Sequence, residues 1–215
     1  MRKIALLATA ITLSFAVNAQ KIDIGIMVAP NVSFNRLIEE DEVWDIQKNG
    51  AALKFNAGLV VDVFFKDNIA LTTGLTFTTK RSALTADSSS TTILATKVDL
   101  QYLRIPIGFK FYTNEIANRM QLYFQLMGNL DAKIAEKIQD NDGQFDNDFA
   151  KLVDAGVLVG AGLEMGIGQS NKVFAGLNYD RGLINILTND FHPDVNKKLV
   201  KINNDLVSLV VGFKF

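Results

Sequence analysis

The stretch LVSLVVGFKF, residues 206–215, decides the fold class. Apolar side chains occupy every second position in it, at Val207, Leu209, Val211, Phe213 and Phe215. A period of two is that of a β-strand with one apolar face. The alternation continues to the last residue, so we expect a strand whose backbone groups are all paired. A closed barrel provides this pairing, because its last strand pairs with its first.

Seven further runs upstream have the same alternation. The eight runs cover residues 21–35, 51–65, 69–80, 98–113, 120–133, 153–168, 172–187 and 203–215. The short connections between them are 66–68, 114–119 and 169–171, and the long ones are 36–50, 81–97, 134–152 and 188–202. Short turns at one end and long loops at the other are typical of outer-membrane barrels. The pattern predicts an all-β fold, an eight-stranded antiparallel up-and-down transmembrane β-barrel with both termini at the short-turn end.

The two faces of the runs differ in charge. One face is apolar, as at Ile24 and Ile26 in the first run and Val157 and Val159 in the sixth. A Lys or Arg on the lipid face costs roughly 2–4 kcal/mol at the midplane, so charged residues should face the lumen. The charged residues that we expect to form an ion-pair network there are Lys54, Asp62, Arg104, Lys110, Glu164, Asp180 and Lys214.

Periodicity alone does not say which face is inside, because a soluble barrel carries its charges outside. A secreted lipocalin-like carrier of an apolar ligand is therefore the alternative. The glycine-rich face of the sixth run and the aromatic residues near the run ends favour the membrane barrel.

The N-terminus predicts a cleaved signal peptide over residues 1–19 and an outer-membrane barrel domain over residues 20–215. Basic Arg2 and Lys3 precede an apolar stretch, and Ala19 ends a small-residue cleavage site. Cleavage leaves 20 basic and 23 acidic residues, a charge near −3, which argues against nucleic acid as a partner. The chain has no cysteine and therefore no disulfide framework or thiolate metal site.

No pattern in the sequence indicates catalysis or a cofactor. The single histidine, His192, cannot by itself form a triad or a multi-histidine metal site. Asp62 and Glu164 could act as acid and base, but lysines and an arginine on the same face predict ion pairing instead. Asp140 and Asp142 resemble part of a calcium loop that lacks an acid at its opening position, Ile138. We expect a protein that is not an enzyme.

The long connections are the other candidate site, because function often lies in loops on a rigid scaffold. The first is acidic and the last is basic, and barrel closure places them side by side, where their charges could simply hold the two loops together. The second, residues 81–97, is rich in Ser and Thr and is predicted to be a mobile loop. The candidate interaction residues are Trp44, Asp140, Asp142, His192, Lys197 and Lys198.

Pro106 lies in the middle of the fourth run, where a strand needs its backbone N–H. We expect a β-bulge or a local lapse in pairing there. The alternative is a break that exposes a lumen site around Tyr102, Arg104 and Lys110.

Several segments resemble the PorT-like outer-membrane β-barrel family of the Bacteroidetes type. They are IGIMVAPNVSF, QYLRIPIGFKFY, GAGLEMGIG and NYDRGLINI, within residues 24–34, 101–112, 160–168 and 178–186. The last of these carries Arg181, Gly182 and Asn185, which match the family pattern without an assigned role. The C-terminal run, with Val211, Phe213 and Phe215, resembles the signature by which outer-membrane barrels are recognised for insertion.

These observations predict a small non-enzymatic barrel of the cell outer membrane, with both termini in the periplasm. Its lumen should be filled with side chains, and it should act through extracellular loops or envelope partners. The partners expected are outer-membrane lipid, the barrel assembly machinery and an envelope or secretion-system protein. A narrow-pore accessory barrel for transport or secretion is a further alternative.

Overall fold

A computed structural model describes residues 21–39, 45–48, 51–88, 91–140, 150–186 and 200–215. The predicted signal peptide lies outside these ranges and stays a prediction. Among the described residues, no helix is long and apolar enough to cross a membrane.

Nine strands make up the described chain. They are β1 (Ile22–Glu39), β2 (Asp45–Lys48), β3 (Ala52–Lys66), β4 (Ile69–Ser88), β5 (Thr91–Tyr112), β6 (Met120–Asp140), β7 (Val153–Ile167), β8 (Asn171–Gly182) and β9 (Val200–Lys214). Eight of them form the barrel wall, because β2 pairs only with the outer part of β4.

The wall closes through antiparallel pairing of β1 with β9. The register pairs Ile26 with Phe213 and Val28 with Val211, and Phe215 donates its backbone N–H to the carbonyl oxygen of Ile24 at 2.9 Å. Every other wall strand pairs with its neighbour along the chain. The predicted eight-stranded antiparallel barrel is therefore confirmed.

The apolar face of each strand points outward. Leu126 and Ile107, near the middle of their strands, are each 54% exposed, whereas Asp62 and Lys214 are 0% exposed inside the barrel. A soluble carrier needs the reverse arrangement, with charges in water and apolar side chains around its ligand. The outward apolar band therefore suits lipid rather than the soluble alternative.

Several strands differ from the predicted boundaries: β1 continues to Glu39 and β6 to Asp140, whereas β8 ends at Gly182, and the two strands of one hairpin extend the furthest. Residues 81–88 and 91–97 of the stretch expected to be a mobile loop belong to β4 and β5, which continue in register from the pair Arg81–Asp99 to the pair Ser88–Thr91. The loop prediction was wrong because threonine favours strands when a neighbouring strand supplies a ladder, although a Ser/Thr-rich composition in isolation suggests disorder.

Pro106 coincides with a local lapse in strand pairing. The ladder between β4 and β5 runs to the pair Thr73–Ile107 and resumes at Thr76–Arg104. The hydroxyl of Thr73 donates to the carbonyl oxygen of Pro106 at 2.9 Å, and Pro106 keeps its partner in β6. The wall thus accommodates the missing N–H by omitting two consecutive pairs of the ladder, the local lapse in pairing that the sequence predicted.

Candidate functional site

Lys214 is the centre of an ion-pair cluster near the short-turn end of the lumen. Its Nζ lies 2.5 Å from Asp62 Oδ2 and also bonds to Glu164. The same ammonium donates to the hydroxyl of Tyr112 at 3.0 Å, and that hydroxyl donates to Asp62 at 2.8 Å. Lys110 lies 3.2 Å from Asp62. Since all five side chains are buried, each charge depends on these partners.

Two further residues extend this cluster toward the turns. Lys172 Nζ lies 2.7 Å from Asp23 and 2.9 Å from Glu164. We call the lower cluster the set Asp23, Asp62, Lys110, Tyr112, Glu164, Lys172 and Lys214. It contains three ammonium groups and three carboxylates and is therefore balanced in charge. Lys110 also lies 5.0 Å from the ring centre of Tyr123 and adds a cation–π contact.

A second cluster fills the lumen nearer the long connections. Arg104 binds Asp131 through two parallel contacts, 2.7 Å from Nε and 2.8 Å from Nη2, and also pairs with Asp180. Lys80 Nζ lies 2.7 Å from Asp131 and 2.8 Å from Asp154. We call these five residues the upper cluster. Its two cations face three carboxylates, and Asn129 donates a further hydrogen bond to Asp180 at 3.0 Å.

A cavity of about 60 Å³ separates the two clusters. Met127, Leu158 and Val210 line it together with polar Thr76 and Asn129. The Thr76 hydroxyl and the Asn129 carbonyl oxygen are buried without a protein partner, so a few water molecules would satisfy them.

Six of the seven predicted network residues lie in the clusters. Asp62, Lys110, Glu164 and Lys214 are in the lower cluster, and Arg104 and Asp180 are in the upper one. Lys54 belongs to neither, because its Nζ lies 2.7 Å from Asp99 Oδ1. The ladder between β3 and β4 ends at the pair Asn56–Thr78, so Lys54 lies beyond the part of β3 that pairs with β4, although it still pairs with Asn31 of β1. The single network expected from the sequence is thus two separate clusters, and Lys54 lies outside both.

Other cluster residues were not among the predicted site residues. Lys80, Asp131 and Asp154 of the upper cluster lie on the charged face of their strands, and this periodicity was the signal that could have included them. Tyr112 carries no such signal, because aromatic residues near strand ends more often mark the membrane interface.

Charged residues also gather directly beyond the apolar band, most of them at outward-facing positions of the strands. Arg36 Nε lies 3.2 Å from Asp205, which also accepts from the Tyr179 hydroxyl at 3.1 Å. Asp205 pairs in register with exposed Arg181. We call the outer charged belt the set Arg36, Lys54, Arg81, Asp99, Lys137, Arg181 and Asp205. Two members differ from the rest: Lys54 starts from a lumen-facing position of β3 and joins the belt through its contact with Asp99, and Asp205 is only 2% exposed.

The other half of the outer charged belt is centred on Asp99. Arg81 binds its carboxylate through Nε at 2.6 Å and Nη2 at 3.0 Å, Lys54 contacts it, and exposed Lys137 is its register partner in β6. Partial burial of Asp99 opposes its ionisation, but the hydrogen bonds from Arg81 and Lys54 outweigh that effect. The pKa of Asp99 is therefore lowered.

The segment NYDRGLINI ends β8 at this level of the barrel. The Gly182 N–H donates to Asp205 at 3.1 Å, and its carbonyl oxygen accepts from Arg36 at 2.7 Å. A Cβ at Gly182 would lie 2.6 Å from the carbonyl oxygen of Asn204, so only glycine fits. Asn185 accepts from the N–H of Ile202 at 3.1 Å. Gly182 and Asn185 therefore fix the exit of β8 against β9.

Most of the predicted loop residues lie outside the described chain. These are Trp44, Asp142, His192, Lys197 and Lys198, and Asp140 is the last residue of β6, with its side chain not described. Within the described ranges, no group of three or more His, Cys, Asp or Glu residues could hold a metal ion. The C-terminal residues Val211, Phe213 and Phe215 lie at the closure of the barrel, where the rings of Phe213 and Phe215 pack edge to face at 5.6 Å.

Comparisons with known proteins agree with this geometry. The structure is similar to the outer membrane protein OprG from Pseudomonas aeruginosa, at 14% identity and a TM-score of 0.56, covering 90% of this chain and 96% of that one. It is also similar to Neisserial surface protein A (NspA), at 13% identity and a TM-score of 0.52, covering 90% and 95% of the two chains. At these identities the likeness concerns the fold alone. A search of the curated proteins gives no match.

The sequence itself matches a protein family over most of its length. The model of the outer membrane protein beta-barrel domain matches residues 18–188, which include seven of the eight wall strands. The outward apolar band and the closed wall are what that family requires of a chain embedded in lipid. The chain therefore belongs to the outer membrane protein beta-barrel domain family, and its location is the outer membrane.

Proposed function

We propose that the protein is a non-enzymatic barrel with a plugged lumen that acts at its outer surface, through its long connections or with envelope partners. The observation that carries this proposal is the pair of ion clusters across the lumen. An eight-stranded barrel has an interior just wide enough for side chains to fill. Opening a path through either cluster would leave a buried charge without its partner, at a cost of several kcal/mol.

The clusters also argue against catalysis in the lumen. Asp62 and Glu164, the carboxylates considered as an acid and base, both accept from Lys214, and Lys110 and Lys172 supply further cations. Carboxylates whose oxygens already contact ammonium groups are not free to take a proton from a substrate, which suits a structural role better than proton transfer.

We further propose that the protein is PorT-like and that both termini lie in the periplasm. The match of Arg181, Gly182 and Asn185 to that family pattern supports the first point, since Gly182 and Asn185 determine how β8 ends. Short turns at the end that carries the termini support the second, because short turns are periplasmic in barrels of this class. A secretion-system or other envelope protein is the partner that this placement favours.

Conduction through a planar bilayer tests the plugged lumen. The purified protein should give no steady porin-like conductance, and Arg104→Gln should lower thermal stability without opening a stable channel. Lys66→Gln, an exposed change at the short-turn end, is the control for handling and insertion. Steady conductance from the unmodified protein would overturn the proposal and favour a transport role.

Labelling on intact cells tests the orientation. The chain has no cysteine, so single cysteines at Lys198 and at Lys66 can be compared directly. A membrane-impermeant maleimide should label Lys198→Cys before cell lysis and Lys66→Cys only after it. The opposite pattern would reverse the orientation and remove the long connections from the cell surface.

A further inference from the structure

The rows of outward-facing apolar side chains along the strands end differently at the two rims of the barrel. At the short-turn rim they end on aromatic rings, at Phe65, Phe111 and Phe215, all exposed. At the other rim they end at the outer charged belt. Seven adjacent wall strands, from β8 through β9, β1, β3, β4 and β5 to β6, each contribute one member of that belt. The outward apolar faces therefore end on aromatic rings at the short-turn rim and next to charged side chains at the other rim.

The outer charged belt is cationic overall. Its seven members include five cations and two carboxylates, and both carboxylates are already occupied by belt cations. Asp205 accepts from Arg36, and Asp99 accepts from Arg81 and Lys54. Arg181 and Lys137 are exposed, and among the described residues neither forms a salt bridge, although their backbones pair in register with Asp205 and Asp99. Within the part of the chain that the structure describes, two cations without a salt bridge thus lie at the edge of the lipid-facing surface.

We propose that the outer charged belt binds the phosphate groups of a glycolipid in the outer leaflet of the membrane. Guanidinium groups bind phosphate through planar, bidentate hydrogen bonds, and basic residues at the membrane surface attract anionic headgroups. The apolar stems of Arg and Lys can lie along acyl chains while their charged ends reach the headgroup layer.

Continuity between the belt and the apolar band favours a lipid over a free anion. The belt begins at the next outward positions after exposed Tyr179 and Val207, so one ligand can touch the apolar band and the cations together. Only an amphiphile embedded in the same leaflet places its acyl chains beside the apolar band and its phosphates beside the belt cations. The choice of leaflet rests on the orientation given under the proposed function.

A binding experiment with two forms of one glycolipid tests this inference. The folded barrel is titrated in detergent with diphosphoryl lipid A and with the same lipid after phosphatase treatment, and bound lipid is counted by native mass spectrometry. The protein should prefer the phosphorylated form by about tenfold or more, and rising salt should reduce that preference. The variant Arg181→Gln/Lys137→Gln should lose about tenfold in affinity for the phosphorylated form only.

The control variant, Lys66→Gln, removes an exposed cation at the opposite rim and should bind both lipids as the unmodified protein does. Thermal melting of each variant verifies that the barrel is folded, since the substituted side chains are exposed and make no described ion pair. Equal affinity for the two lipids, or an equal loss in Lys66→Gln, would refute the inference. Inorganic phosphate that competes as strongly as the lipid would also refute it, because the belt would then be a site for free anions.

The labelling experiment separates this inference from the proposed function. If Lys198→Cys is labelled on intact cells and no phosphate preference is found, the inference fails and the proposed function stands. If the labelling pattern is reversed, the orientation and the inference fail together.

Discussion

Replacing Lys214 with methionine is the most direct test of the lower cluster. Lys214 is 0% exposed and contacts Asp62 and Glu164 at the same time. Methionine keeps most of the side-chain volume and removes the charge, which leaves three carboxylates facing two ammonium groups. Removing one partner of a buried ion pair typically costs about 3–5 kcal/mol, and we expect a loss in this range in the free energy of unfolding.

A second substitution shows whether the loss comes from the charge. In Lys214→Met/Glu164→Gln the cluster returns to two cations and two carboxylates, so the double variant should be more stable than the sum of the single losses predicts. The difference should be about 1–3 kcal/mol, the range found for residues in contact. Lys66→Met is the matched control. The ammonium of Lys66 is exposed, so this substitution should change the free energy of unfolding by less than about 0.5 kcal/mol.

Urea unfolding in lipid vesicles, followed by far-UV circular dichroism, gives the free energies, and the heat-sensitive compact band on a gel gives the folded fraction. A loss below about 1 kcal/mol for Lys214→Met would show that the cluster does not depend on this charge. Strict additivity of the two substitutions would show that Lys214 and Glu164 do not interact in the folded barrel, contrary to the geometry.

Three further predictions concern the lipid face, the C-terminus and the outer charged belt. Val159→Arg, on the outward face of β7, should destabilise the fold in urea by about 2–4 kcal/mol, whereas a tolerated change would mean that this face does not contact lipid. Deletion of Phe215, or Phe215→Asp, should reduce the compact band in cell envelopes, and unchanged assembly would count against the C-terminal signature. Because the pKa of Asp99 is lowered, its stabilising contribution is complete above its ordinary pKa of about 3.9 and is lost as the pH falls through the lowered value. The melting temperature should therefore fall less steeply between pH 7 and pH 3 for Asp99→Asn than for the unmodified barrel. Identical profiles of melting temperature against pH would rule out this contribution.

The period of two was sufficient to predict the wall and its faces. In β7, for example, Val157 and Val159 point to lipid and Glu164 points inward, as alternation alone requires. Closure could also be predicted, because a transmembrane strand cannot leave its backbone groups unpaired in lipid. These conclusions depend on local pattern and solvent physics, which a single sequence contains.

The partners of each buried charge could not be predicted in the same way. The odd or even position of a residue along its strand tells which face of the wall its side chain occupies. The stagger between strands determines its position along the barrel axis, and therefore which charged side chains it meets. Arg104 meets Asp131 because they are register partners in β5 and β6, whereas Lys214 in β9 reaches past the intervening strand β8 to Glu164 in β7. Lys54 lies outside both clusters for a related reason, since the ladder between β3 and β4 ends before its position.

The glycines of the lumen add a constraint that bears on function. The hydroxyl of Tyr123 would lie 2.5 Å from a Cβ at Gly162 and 2.4 Å from one at Gly176, so the ring fits only because two neighbouring strands lack side chains there. Lys110 in turn lies against that ring and bonds to Asp62. A side chain held between backbone on one side and an ion cluster on the other cannot move aside without breaking a buried ion pair. Variation that alters function without unfolding the barrel should therefore occur on its exterior, in the long connections and along the outer charged belt.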